Sequence, residues 1–381
     1  MLQSGTFRIG SISGIAVDVH ITLGLAFVWG AWYGWERSAN IEGALVGIVA
    51  ILLLFSCILL HELAHGWQAR VYKLNVRRII LLPIGGLTEL ETPATHAGQE
   101  LAVAFAGPLM NLMLGGALAG FVLVSYPTSF ANSQAIDFFF PRPDIDGLLL
   151  YLVGANALLF IFNMIPAFPM DGGRILRAGL ALVTSYLTAT RIAAWVGRVI
   201  GLALFAIGLV GWPPFSQFPN PNLALIIVAL GVFMGAHSED VFVRRRWALA
   251  RVNVGDVIIP GTGVNRPARA LAPWDNLSRP LLTQLFTSDR VMPVVVEGRL
   301  VGLLTYREAR RHAGLGQQAT VAHAMRTIFP SLQLRDTLWI ALQQMMSARL
   351  AALPVVDGNQ LMGMITLDDV NDAWKYASGA Q

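Results

Sequence analysis

The densest run of chemistry-bearing side chains in this 381-residue sequence is His61-Glu62-Leu63-Ala64-His65. On a helix, positions i and i+4 share a face, so both imidazoles can bind one Zn²⁺ while Glu62, beside the first, reaches a metal-bound water. The same five-residue pattern also arises by chance in soluble helices that bind nothing. Here it continues the apolar run 43–60, where ionisable groups cost several kcal/mol unless a function or a partner holds them. A zinc enzyme of this kind needs a third protein ligand and keeps the fourth position for water. Asn163-Met164-Ile165-Pro166-Ala167-Phe168-Pro169-Met170-Asp171-Gly172-Gly173 offers one. Its prolines break a membrane helix and its glycines let the backbone turn, exposing polar groups near Asp171 inside a protein-lined cavity. Alone, the segment reads equally well as a span end with a polar loop. Beside the histidine pair, Asp171 is the third ligand.

Those residues need a scaffold, and the composition says which kind. Apolar residues make up 55% of the chain and charged ones only 13%, against roughly 25% charged in an ordinary soluble domain, which excludes a disordered chain and argues against a purely soluble one. Residues 1–243 hold 24 of the charged residues and the shorter 244–381 holds the other 26. An apolar first part and a globular second part follow, divided as 1–243, a basic linker at 244–251, and 252–381. A spanning helix needs roughly 20 mostly apolar residues, and six segments qualify, near 14–35, 43–69, 98–125, 147–169, 192–211 and 222–237. The stretch 176–190 is too short and arginine-bracketed, so it either continues the fourth span or re-enters. Arg8, Arg70, Lys73, Arg77, Arg78, Arg174, Arg177, Arg191 and Arg244-Arg245-Arg246 fall on one side of such a bundle, against Arg37 and Arg142 on the other. The positive-inside rule then puts both termini in the cytoplasm. The scattered basic residues are topology signals, and a nucleic-acid partner is not expected despite a net charge of +4. A single cysteine, Cys57, excludes an internal disulfide.

Between the second and third spans, 83–93 (PIGGLTELETP) reads as a small hairpin or edge strand, with an ordinary loop turning at Gly85-Gly86 as the equal alternative. Beyond Arg251 a repeat appears at an offset of 61 residues: Met292-Pro293-Val294-Val295-Val296 and Gly302-Leu303-Leu304-Thr305 match Leu353-Pro354-Val355-Val356-Asp357 and Gly363-Met364-Ile365-Thr366. Helices are predicted before each strand pair, at 277–286 and 337–347, and after it, at Tyr306–His312 and 367–376. Two β-α-β-β-α units, about 252–314 and 319–377, are each too small to bury a core alone and must pack as a pair.

HELAH in a membrane segment, followed by NMIPAFPMDGG, resembles the site-2 protease family of intramembrane zinc metalloproteases. The resemblance implies one zinc held by His61, His65 and Asp171, with Glu62 as catalytic base and Asn163 near the scissile carbonyl. Ala106-Gly107-Pro108-Leu109-Met110-Asn111 is similar to a family element whose asparagine faces the active site. Pro83-Ile84-Gly85-Gly86 is similar to the family's segment beside it, which makes Gly85, Gly86, Leu87 and Thr88 the expected substrate contacts. Residues 15–20 (IAVDVH) resemble the family's amphipathic lead into the first span. The C-terminal repeat resembles a tandem pair of CBS domains, modules that often bind adenine nucleotides such as ATP, ADP or AMP. In its second copy, Gly363-Met364-Ile365-Thr366-Leu367-Asp368-Asp369 fits the family signature, so Thr366 and Asp369 are implied ribose contacts. The first copy carries Thr305 but has Glu308 where aspartate is expected, which leaves a second nucleotide site open to question.

The expected protein is thus a polytopic α-helical membrane protein of about six spans with a small β-hairpin, followed by an α/β CBS pair, in a prokaryotic cell membrane. Its expected activity is hydrolysis of peptide bonds within or near the transmembrane segments of single-span substrates. Membrane-tethered transcriptional regulators and signal-peptide remnants are the implied substrates, with nucleotide control and a homodimer through the CBS pair left open. A substrate helix must unwind before cleavage, and an edge strand over 86–91 could pair with it. The competing class is a divalent-cation transporter or channel under CBS control, which would have no use for a base at Glu62.

Overall fold

The computed structural model describes residues 5–378 apart from 92–95, 132, 134–140, 143, 212–220, 259–269, 278–280, 282, 284–290 and 313–318. The chain divides into two compact units, Met1–Asp240 and Val241–Gln381.

The first unit opens with strands β1 (Thr6–Ile12) and β2 (Ile15–His20), then helices α1 (Leu23–Ser38) and α2 (Ile41–Val71). Strands β3 (Val76–Leu82) and β4 (Gly85–Leu90) follow, then α3 (Ala97–Ser125), α4 (Pro127–Ala131), α5 (Ile145–Met164), α6 (Asp171–Ala181), α7 (Tyr186–Val210) and α8 (Leu223–Leu249), whose residues past Asp240 belong to the second unit. Among the described residues, α2, α3, α5, α7 and α8 are long and apolar enough to cross a membrane. Only 22% to 39% of each apolar window is buried. The remaining apolar surface, for example Leu45 and Leu52 on α2 or Met113 and Val124 on α3, is exposed and needs lipid around it.

The first expected span departs from the reading of 14–35 as one helix. Ile15–His20 is a strand, and α1 keeps only 16 residues, about 24 Å of helix. Asp18 and His20, odd residues for a span, belong to that strand. The short α1 packs closely on α2, because Gly30 and Gly34 face Gly47 and Gly43; a β-carbon on Gly30 would lie 2.6 Å from Ile51 Cγ1 and 2.8 Å from the Gly47 carbonyl oxygen. Such small-residue faces let membrane helices approach by their backbones. The 147–169 span also ends early, at Met164, and 176–190 is divided between α6 and the start of α7.

The four strands form one sheet in the order β1-β2-β3-β4, with β2 and β3 parallel and the other pairs antiparallel. The hairpin read at 83–93 is therefore half of a larger sheet, and β4 is its edge; positions 92–93 lie outside the described residues. Ile15, Ile79 and Leu81 bury one face of the sheet with Leu63 of α2. An ion ladder crosses the strands: Arg8 to Asp18 at 3.1 Å, Asp18 to Arg78 at 3.1 Å and Arg78 to Glu89 at 2.8 Å. Burial pushes the Asp18 carboxyl up, but the two guanidinium groups beside it hold it below its ordinary value.

The second unit contains α9 (Val254–Ile258), β5 (Val291–Val296), β6 (Arg299–Thr305), α10 (Tyr306–His312), α11 (Val321–Ala324) and β7 (Leu332–Gln333). It ends with α12 (Leu338–Ala348), β8 (Ala352–Asp357), β9 (Gln360–Thr366) and α13 (Leu367–Ser378). The sheet order is β5-β6-β9-β8-β7. The 61-residue repeat survives in detail: Leu271 bridges Val294 as Leu332 bridges Val355, and β-bulges fall at Val294/Val295 and at Val355/Val356. The helix expected at 277–286 falls largely outside the described residues.

Each copy borrows its partner's lead helix. Val254 N–H donates to the Asp336 carbonyl at 2.7 Å, and Val321 N–H to the Asp275 carbonyl at 2.8 Å. The segment before α11 thus completes the first copy's cluster around Val294 and Leu304, and that before α9 the second copy's core around Leu338 and Leu353, so each cluster draws on both repeats. The basic stretch 244–251, read as a linker, is helical through Leu249, and Leu249 is fully buried in that core.

Candidate metal centre

Helix α2 carries His61, Glu62 and His65 in its C-terminal half, and all three side chains are buried. The two imidazoles meet with their Nε2 atoms 3.0 Å apart. Asp171 comes from the loop between α5 and α6. That loop is tightly folded: Ala167 N–H donates to the Ile165 carbonyl at 2.7 Å, and Met170 N–H to the Ala167 carbonyl at 3.1 Å. Gly172 and Gly173 lie so close to the backbone at Ile165 and Phe168 that any β-carbon there would collide. The turn delivers Asp171 as the first residue of α6, its Oδ2 3.2 Å from His61 Nε2 and 3.1 Å from His65 Nε2.

These atoms suit a metal because of what the other imidazole nitrogens do. His65 Nδ1 lies 2.7 Å from the Val103 carbonyl oxygen, and His61 Nδ1 contacts Asn111 Oδ1. Both partners are acceptors, so each Nδ1 carries the hydrogen and each Nε2 turns a bare lone pair toward the carboxylate oxygen. Three lone-pair donors facing one point repel one another without a cation. Their spacing is close to the edge, roughly 3.3 Å, of a tetrahedron with zinc–nitrogen bonds of about 2.0–2.1 Å. Among the described residues this is the one group of three or more His, Cys, Asp or Glu side chains so arranged.

A cavity of about 610 Å³ opens on this cluster. Glu62 and Asn163 line it, as do Gly85, Gly86, Leu87 and Thr88 of β4. Thr88 Oγ1–H donates to Glu62 Oε2 at 2.6 Å. Gly86 is needed because a β-carbon there would strike the Glu62 side chain. Asn163 Nδ2 donates back to the Leu159 carbonyl at 3.0 Å within α5. The structure thus brings together His61, Glu62, His65, Asp171, Asn111, Asn163 and 85–88. Thr305, Glu308, Thr366 and Asp369 lie in the other unit, at the starts of α10 and α13. There Thr366 Oγ1–H donates to Asp369 Oδ2 at 2.7 Å, and Thr305 Oγ1–H to Glu308 Oε2 at 2.7 Å.

Three supports of the site were not read as such from the sequence. Gly107 of α3 lies against both histidines, and a β-carbon there would fall 2.6 Å from His61 Nε2 and nearer still to His65 Nε2. Arg177, read as a topology signal, is 4% exposed. It donates from Nε to Glu100 Oε1 at 2.9 Å, contacts Glu239, and lies over the Phe168 and Tyr186 rings at 5.0 and 5.1 Å. This clamp ties α6 to α3 and α8 and so fixes the rotation that points Asp171 at the histidines. The third is Asn156 on α5, fully buried and hydrogen-bonded to Asn111. Its one signal was a polar residue inside Gly154-Ala155-Asn156-Ala157, the small-residue setting in which membrane helices meet.

Known proteins are similar to this chain in sequence. The profile of Peptidase family M50 matches residues 49–142 and 140–207, and that of the CBS domain matches 321–376. Zinc metalloprotease MJ0392 of Methanocaldococcus jannaschii is 31% identical over 367 residues, covering 96% of this chain and 95% of its own. Stage IV sporulation protein FB of Bacillus subtilis is 28% identical over 43% of this chain and 56% of its own length. The solved site-2 protease from Methanocaldococcus jannaschii covers 62% of this chain and 95% of its own, at 35% identity and a TM-score of 0.42. Two imidazoles and a carboxylate converging beside a buried glutamate, on a chain alike over nearly its whole length to a zinc metalloprotease, establish the assignment: the chain belongs to the site-2 proteases of Peptidase family M50, membrane-embedded zinc-dependent proteases, and carries a C-terminal CBS region.

Proposed function

We propose that this protease cleaves peptide bonds within or next to the transmembrane segments of membrane-tethered proteins, such as tethered transcriptional regulators or signal-peptide remnants. The observation that carries this reading is the wall of the cavity: β4 is a sheet edge, and its residues 85–88 line the space that also holds Glu62, His61, His65 and Asp171. An unwound substrate segment pairing with β4 recovers the backbone hydrogen bonds it gave up and presents a carbonyl to the site.

Zinc, when held by His61, His65 and Asp171, supplies Lewis acidity that polarises that carbonyl and acidifies a water. Glu62 takes the proton of the attacking water and passes it to the leaving amine. Thr88 engages one carboxylate oxygen of Glu62 and so turns the other toward the reacting water. Asn163 exchanges its own-helix Leu159 carbonyl for the oxyanion. The basic residues flanking the spans support a cytoplasmic N-terminus and CBS region, so water enters and product leaves on that side. Adenine nucleotide at Thr366 and Asp369 adds control from the second unit.

Comparison of membrane-protein fragments in cells carrying wild type and Glu62→Gln, mapped by mass spectrometry, tests the activity: cuts within spans that vanish in the variant support it, and identical fragment maps reject it. Proline at Leu87 and at Leu90 tests the edge. The two positions have opposite parity along β4, so one of the prolines removes an amide that points away from β3. That variant should lose cleavage while keeping zinc; equal losses of cleavage, zinc and folding in both would remove strand pairing from the mechanism.

A further inference from the structure

Asn111 and Asn156 are both fully buried, so water cannot satisfy either amide. Asn156 Nδ2 lies 2.9 Å from the Leu152 carbonyl oxygen and 3.3 Å from Cys57 Sγ. A backbone carbonyl only accepts, so the atom facing it must be the nitrogen, and Asn156 Oδ1 must face Asn111. Asn111 in turn gives its Nδ2 hydrogen to that oxygen at 2.9 Å. Its own Oδ1 is thereby left for His61 Nδ1. Flipping Asn156 would break both of its junctions, and flipping Asn111 would set oxygen against oxygen at Asn156, in a dry interior where an unmade hydrogen bond costs about 1–3 kcal/mol. The chain of bonds has one polarity.

We propose that Asn156 is a positioning residue for the metal centre: through Asn111 it transmits the polarity of the Leu152 carbonyl from α5 across α3 to α2, and so fixes the His61 tautomer with Nε2 bare. His65 receives the same constraint in a single step from the Val103 carbonyl. The two ligands are therefore set by the same device at different lengths, one direct and one relayed through two amides. The proposal rests on the zinc reading of His61, His65 and Asp171.

The test uses the full-length protein in detergent, with zinc affinity from chelator competition and the His61 tautomer from ¹⁵N ring shifts. Asn156→Leu should weaken zinc binding by about 10–100-fold and let His61 sample both tautomers. In an Asn111→Asp background the sign should reverse. A carboxylate at 111 accepts from His61 whichever way it turns, but its second oxygen meets Asn156 Oδ1. There Asn156→Leu removes a clash, and zinc affinity should hold or rise. An equal loss in both backgrounds means Asn156 only fills space, and an unchanged affinity and tautomer in the single variant overturns the relay outright. Should leucine prevent folding, Asn156→Ala leaves room instead of filling it and carries the same expectations. Wild type that binds no zinc would instead defeat the underlying metal reading, an outcome distinct from all of these.

Discussion

Two groups of polar side chains in this protein match family signatures, and their hydrogen bonding differs in kind. In the first unit the imidazole donors are turned outward, His61 to Asn111 and His65 to Val103, so that three acceptors converge on one point. In the second unit, Thr366 and Asp369 satisfy each other: the threonine hydroxyl and N–H both donate to Asp369 Oδ2, and Asp369 N–H donates back to Thr366 Oγ1 at 3.2 Å. That is a capping box opening α13, and Thr305 with Glu308 makes the same box for α10. The metal centre needs a ligand to be stable, whereas the Thr-x-x-acid motif is complete without one. The two copies also differ from each other, since Glu308 Oε1 is taken by Arg326, while no described residue donates to Asp369 Oδ1. Among the described residues the second copy therefore keeps an acceptor that the first has already engaged.

The largest effects should come from the converging site. Glu62→Gln should lower cleavage by about 10²–10⁴-fold, the usual worth of a general acid–base group, while zinc content by mass spectrometry stays at one per chain. Loss of zinc along with activity would make Glu62 a structural member of the site. Gly107→Ala should lower zinc affinity about as much as loss of a supporting contact does elsewhere, 10–100-fold, because its β-carbon meets both Nε2 atoms. Gly116→Ala, on the same helix with nothing within 4 Å of its β-carbon, is the control and should leave affinity unchanged.

What the sequence revealed tracks the same division. His61, Glu62 and His65 were legible because helix geometry alone puts them on one face, and Asp171 because two prolines and two glycines advertise a built turn. The repeat was legible because each copy carries the same strand pair. The four-stranded sheet was not, since Ile15–His20 and α1 form one uninterrupted apolar run whose only break signals were Asp18, His20 and Thr22. Arg177 was misread because a basic residue at a helix end looks alike whether it faces water or two glutamates of other helices. The exchange of α9 and α11 between copies leaves no local trace at all, as it depends on which strands a helix meets after the chain has turned.

A smaller effect probes the self-satisfied site. Thr366→Val removes the cap of α13 and should destabilise the second unit by about 1 kcal/mol, read as an earlier unfolding transition of that unit with zinc binding intact. Asp369→Asn should abolish any heat of adenine-nucleotide binding to the full-length protein, and Glu308→Gln should leave that heat unchanged. If Glu308→Gln removes it instead, the first copy is the nucleotide site and the acceptor kept on Asp369 is irrelevant.

The smallest expected effect separates the two sheets. Both sheets bury an apolar face, but the four-stranded one also carries the Arg8–Asp18–Arg78–Glu89 ladder. Asp18 titrates below its ordinary value of 3.8 when folded, so the unfolded strand binds a proton more readily than the folded one. The stabilisation is complete above about pH 4, the unfolded carboxyl's range, and is lost as pH falls through the lower folded value. Hydrogen exchange at the β2 amides should therefore quicken below pH 4, relative to the β8 and β9 amides of the same molecule. In Asp18→Asn that extra acid sensitivity should disappear, leaving β2 less protected at neutral pH but flat across the acid range. Unchanged acid sensitivity in the variant would remove the Asp18 carboxylate, and its pairing with Arg8 and Arg78, from the account of β2.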